Sequence, residues 1–123
     1  MSFKTLLIIK AAVCLTFGVL LLFFPGWLFG LLGAPLDAAG TYPAREYAAA
    51  MFGTLMLTWF ARGAVSSETR KPILLDLLVY DAIGFVVTTL TVLSGVLNWL
   101  GWGIVAVYAF FTVGSGYLLS RKA

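Results

Sequence analysis

Histidine is absent from the sequence and cysteine occurs once, at Cys14. The first absence removes the commonest protein ligand for haem, zinc or copper, together with the commonest general base. The second excludes an intrachain disulfide and a thiolate cage for metal. Charge is scarce as well: 11% of the 123 residues are Asp, Glu, Lys or Arg, against roughly a quarter in soluble domains. Such a surface is not built for water. No Gly-rich phosphate loop follows a strand pattern, and Ser2, Ser66, Ser67, Ser94, Ser115 and Ser120 have no histidine to activate them. The chain is therefore not expected to be an enzyme.

What the sequence has in quantity is apolar surface, 62% of its residues. A helix needs about 20 apolar residues to cross the hydrocarbon core, and four runs meet that length. The first spans 5–24, is checked by Pro25-Gly26 and continues to Leu32. The second begins at Pro43, suited to a first helical turn, and ends at Ala61. The third follows Pro72 and covers 73–93; the fourth covers 100–119. The expected fold is all-α, a single domain over 1–123 built as a four-transmembrane-helix bundle. The N-terminal run is read as a retained span, because Lys10 interrupts it and no small-x-small cleavage site precedes a polar start. Gly18-Val19-Leu20 and Gly95-Val96-Leu97 echo one another, too briefly to define a repeat.

The net charge of +3 does not indicate nucleic acid, since the basic residues punctuate the apolar runs and form no clustered face. They report topology instead. Lys4, Lys10, Arg62, Arg70, Lys71, Arg121 and Lys122 fall on one side and only Arg45 on the other. Trp27, Tyr42, Tyr47, Trp99 and Trp102 gather on the side of Arg45 as an aromatic belt. Both termini are thus expected in the cytoplasm, in a pattern that suits a bacterial inner (plasma) membrane.

At about 100° per residue the later spans sort into two faces. Glu46, Ala50, Thr54, Thr58 and Ala61 are expected to face inward in span two, with Phe52, Leu55, Met56 and Trp59 outward. Asp81, Gly84, Thr88, Thr91 and Gly95 line one side of span three, and Gly101, Tyr108, Thr112 and Ser115 one side of span four. Lipid cannot satisfy hydroxyls or carboxylates, so these stripes face one another. They serve either as packing seams, with hydroxyls bonded back to helix carbonyls, or as a substrate path. In span one, Lys10, Cys14, Phe17, Leu21 and Phe24 share a face. Gly26 and Gly30 give a GxxxG spacing beyond Pro25 that suits close helix contact.

Asp81 carries the most information. It lies nine residues past Pro72, about 13 Å inside the helix, where a carboxylate is costly and marks a functional-site hypothesis. It must pair with a cation or take up a proton. Lys10 is the first candidate partner, unless its stem snorkels to the interface; Arg62 is the second. Asp76, about 140° away around the helix, forms no dyad with Asp81. Tyr108, Thr88 and Thr112 complete the candidate intramembrane polar site, while Arg45 and Glu46 are candidate contacts for headgroups or a partner subunit.

Phe24-Pro25-Gly26-Trp27 closing span one, Arg45-Glu46-Tyr47 opening span two with Gly53 inside it, Trp59 to Arg62 closing it, and Ser94-Gly95 after span three together resemble the layout of the DoxX-like group of small four-helix membrane proteins. The resemblance implies an accessory role, some members of that group looking like subunits of quinone-linked oxidoreductases, and it places no catalytic residue. Small multidrug-resistance exporters also have four short spans, but depend on a membrane-embedded glutamate in span one, where this chain has Lys10 and no acid. The expected partners are the bilayer and other membrane subunits or further copies of the chain. No cofactor is expected, with lipid, quinone and carotenoid the molecules that grooves between such faces would admit. The alternative is a small oligomeric transporter with proton coupling at Asp81.

Overall fold

The computed structural model describes residues 1–121; Lys122, counted above among the basic residues, lies outside them. Five helices follow in order: α1 (Phe3–Phe23), α2 (Pro25–Leu31), α3 (Ala38–Ala61), α4 (Ser67–Leu93) and α5 (Gly101–Ser120). The described residues contain no strand. Three helices, α1, α4 and α5, are long and apolar enough to cross a membrane. The chain thus has the make-up of a small membrane protein. α3 has the length, 24 residues, but carries Arg45 and Glu46 in its first half and falls outside that group of three.

Each boundary has a local cause. Ser2 Oγ accepts from Thr5 N at 3.2 Å and starts α1. Pro25 has no N–H to continue it and restricts Phe24, whose φ/ψ of −132°/44° ends the helix. Leu22 O in this broken last turn accepts instead from Arg45 Nε at 3.2 Å. α3 begins at Ala38, not at Pro43, because Asp37 Oδ1 accepts from Gly40 N at 2.8 Å. α4 begins at Ser67, not after Pro72, because Ser66 caps it and Glu68 sits favourably in its first turn. Each proline stands sixth in its helix, where it forfeits one bond of the second turn. The capped turn ahead of it is already formed.

Two glycines permit the turns at the α2 end of the molecule. Gly33 (φ +78°) and Gly95 (φ +85°) take the left-handed conformation that favours glycine. Gly33 N and Ala34 N bond back to Gly30 O and Phe29 O, and Gly95 N and Val96 N to Val92 O and Thr91 O. Both are Schellman closures. Asn98 ties the two turns together. Its backbone N–H donates to Leu32 O at 2.8 Å, its side-chain amide donates to Leu31 O at 2.9 Å, and its Oδ1 accepts from Leu100 N at 3.0 Å.

The main helix pairings are α1 with α3 and α4 with α5. Gly18 faces Phe52 and Leu22 meets Arg45, while Gly84 faces Tyr108 and Gly101 faces Val92, so both pairs run antiparallel. Contacts among buried residues form two apolar layers. One joins Phe3, Leu6 and Leu7 to Ile73, Leu74, Leu77, Phe111 and Leu118. The other joins Cys14, Leu21, Leu28 and Leu32 to Ala44, Ala48 and Met51. A polar layer centred on Lys10 and Asp81 lies between them.

The inward face of α3 differs from the expected one. Ala44, Ala48, Met51 and Thr58 are buried, and Leu55 packs against the core, whereas Glu46 and Ala50 are exposed. Gly26 and Gly30 are also exposed, and a β-carbon on either would meet nothing within 4 Å, so their spacing serves no close contact within the chain.

Candidate functional site in the polar layer

Lys10 is the eighth residue of α1 and Asp81 the fifteenth of α4, both far from a helix end. Lys10 Nζ donates to Asp81 Oδ1 at 2.7 Å, and the two side chains are 3% and 0% exposed. The lysine is committed inward and does not snorkel. Arg62 is not the partner: its guanidinium stacks on the Trp59 ring at 3.8 Å and donates to Trp59 O.

A buried ammonium needs more than one contact, and two rings supply it. Nζ lies 4.2 Å from the Tyr80 centroid and 4.6 Å from that of Phe111, so the cation meets the negative faces of two π-systems. Tyr80 immediately precedes Asp81, and one turn of α4 therefore presents both the carboxylate and a ring wall to Lys10.

Tyr80 also extends the layer. Its hydroxyl donates to Tyr47 Oη at 2.8 Å, and Tyr47 Oη lies 2.7 Å from Tyr108 Oη. Three phenols from α4, α3 and α5 thus form one chain of hydrogen bonds. Tyr47, expected in the outer aromatic belt, belongs to this interior chain, while Trp27, Tyr42, Trp99 and Trp102 are exposed. Tyr80 was not singled out from the sequence; its place beside Asp81 was the available signal.

The remaining hydroxyls divide. Thr112 Oγ1 donates to Tyr108 O at 2.8 Å, Ser115 Oγ to Phe111 O at 2.5 Å and Thr58 Oγ1 to Thr54 O at 2.8 Å. These bonds satisfy each hydroxyl within its own helix, as in a packing seam. Thr88 instead lines a cavity of about 210 Å³ together with Lys10, Asp81 and the three tyrosines. The rest of its wall is apolar, with Phe17, Leu21, Leu28, Phe29, Met51 and Ile104 prominent. Asp76, Arg45 and Glu46 are exposed and outside this cluster. Among the described residues no group of three or more His, Cys, Asp or Glu could hold a metal ion.

Comparison with known proteins adds the family. No curated protein and no solved structure matches the chain. A family model described as a domain of unknown function, DUF8292, matches residues 1–120, almost the whole chain, which therefore belongs to the DUF8292 family.

Proposed function

We propose that this protein is a non-enzymatic, multi-pass subunit of the inner (plasma) membrane, crossing the bilayer four times, whose role is structural or accessory within a larger membrane complex or homo-oligomer. The start of α1, the α3–α4 loop and the end of α5 lie on the cytoplasmic side in this reading. The positive-inside rule supports that orientation: even without the buried Lys10, six basic residues stand against Arg45.

The observation that carries the reading is the closed Lys10–Asp81 pair. Proton-coupled transport needs a carboxylate in contact with water during the cycle, whereas a scaffold needs only one whose charge is paired. Large apolar side chains on the outside suit partners within the bilayer. Phe60, Ile83, Leu90, Val113 and Trp99 are all at least 60% exposed, which supports packing against lipid or other subunits. An accessory role is also what the DoxX-like layout implies.

Native mass spectrometry of the tagged protein, extracted gently from its own membrane, tests the proposal. Co-purifying membrane subunits or a defined homo-oligomer are expected. A monomer without partners would overturn it.

One observation favours the second reading, transport: the cavity reaches Asp81, Thr88 and Tyr108. A proton flux in reconstituted vesicles that is lost in Asp81→Asn would establish transport in place of the structural role.

A further inference from the structure

The polar layer leaves one acceptor and one donor over. Asp81 is fully buried; its Oδ1 takes the Lys10 bond, and its Oδ2 receives no hydrogen bond from any described residue. A buried carboxylate oxygen without a donor is costly. The three phenols carry three protons and make two bonds among themselves. Whichever way the Tyr47–Tyr108 bond runs, one proton remains for an acceptor beyond the triad. Asp81 and all three tyrosines line the same cavity, and the remainder of its wall is overwhelmingly apolar.

We propose that this cavity binds a small, free lipophilic alcohol, whose hydroxyl donates to Asp81 Oδ2 and accepts the spare tyrosine proton while its body fills the apolar part. The size follows from the volume. A dry cavity of about 150 Å³ takes up benzene, so 210 Å³ holds one ring and a few further atoms. The polar group follows from charge and hydrogen bonding. Lys10 already neutralises Asp81, so an added ammonium or carboxylate would be buried without a counter-ion. A hydroxyl is the smallest neutral group that both donates and accepts.

Competing occupants fit less well. A single water would find in Oδ2 and the spare tyrosine proton only the minimum of two polar partners, and would leave the apolar part of the cavity unfilled. An acyl chain ends in a methyl group and offers nothing to Oδ2. The inference is independent of whether the protein serves a larger complex.

Fluorine NMR on the protein in lipid nanodiscs tests it, with 4-fluorobenzyl alcohol as the probe and 4-fluorotoluene as its hydroxyl-free match. The alcohol is expected to give a saturable bound signal at least tenfold tighter than the toluene. Lys10→Met with Asp81→Leu removes the Oδ2 acceptor together with its counter-ion, so no unpaired buried charge is left, and should bring the two probes within about threefold of each other. Ile104→Trp fills the apolar wall one turn from Tyr108 while leaving every polar side chain in place, and should abolish the bound signal. Equal binding of both probes to the unmodified protein, an unchanged preference in the Lys10→Met, Asp81→Leu double variant, or no saturable signal at all would overturn the proposal. Displacement of the probe by monooleoylglycerol at matched membrane concentration would overturn the assignment to a free molecule, by giving the site to a lipid hydroxyl.

Discussion

A β-carbon placed on Gly84 would lie 2.2 Å from Cε1 of Tyr108. The Tyr108 ring therefore rests directly on the backbone of α4, and this approach lets its hydroxyl reach Tyr47 in α3. Glycine at position 84 makes room for the hydroxyl chain, and position 84 and the tyrosine act as one unit.

Gly84→Ala should consequently destabilise the protein by about 1–3 kcal/mol, the usual cost of overpacking a tight contact. The gain in helix propensity, about 1 kcal/mol, is too small to offset displacement of a ring. Thermal unfolding in nanodiscs measures it. In the Tyr108→Ala background the same substitution should cost little or become stabilising, because the obstructing ring is gone. An additive double mutant would mean that the ring does not rest there.

The Lys10–Asp81 pair predicts the opposite of additivity between two other positions. Lys10→Ala and Asp81→Ala should each cost about 3–5 kcal/mol, since each leaves an uncompensated buried charge. Replacing both by apolar residues, Lys10→Met with Asp81→Leu, should recover most of the loss. A double-mutant cycle read by thermal unfolding decides the matter. Strict additivity would show that the ammonium and carboxylate do not act on each other.

Much of this arrangement was legible in the sequence. A lysine and an aspartate each set deep in an apolar run have few partners but each other, and the pair followed from that scarcity. Thr88 followed from helical periodicity around Asp81, and Tyr108 from the small, polar stripe of the fourth span. The inward face of α3 did not. Ala48, Ala49 and Ala50 carry almost no hydrophobic contrast, so Glu46 drew the expected stripe toward itself, and only Thr58 proved buried of its five members. Tyr47 was read as an interface residue because tyrosine is amphipathic; what turns it inward is two phenols from α4 and α5, which no local pattern announces. The starts of α3 and α4 were misplaced because Pro43 and Pro72 are louder signals than the caps at Asp37 and Ser66.

Asn98 is expected to hold the α2 turn against the α4–α5 loop. Its side chain supplies one bond to Leu31 O and one from Leu100 N, and Gly33 approaches it so closely that a β-carbon there would lie 3.2 Å from Nδ2. Asn98→Ala should cost about 1–3 kcal/mol for the two lost bonds. Hydrogen exchange should rise at Gly33, Ala34 and Leu100 while the amides of α1 around Lys10 stay protected. Uniform loss of protection throughout would mean that Asn98 supports the whole fold and not the junction.

Cys14 is fully buried, so its thiol should be silent toward a membrane-impermeant maleimide in intact cells. That silence makes the chain a clean background for asking whether α3, with Arg45 and Glu46 in its first half, crosses the bilayer at all. Ala39 precedes α3's charged pair and Glu68 opens α4; both are exposed and lie at opposite ends of the helices. With both the start of α1 and the α3–α4 loop in the cytoplasm, Ala39→Cys should be labelled in intact cells and Glu68→Cys only after lysis. The reverse pattern would invert the topology without changing the number of crossings. Labelling of both from outside would leave α3 lying on the membrane. The inner polar chain from Tyr47 to Tyr108 would then have to form at the bilayer surface, and the four-crossing reading would fall.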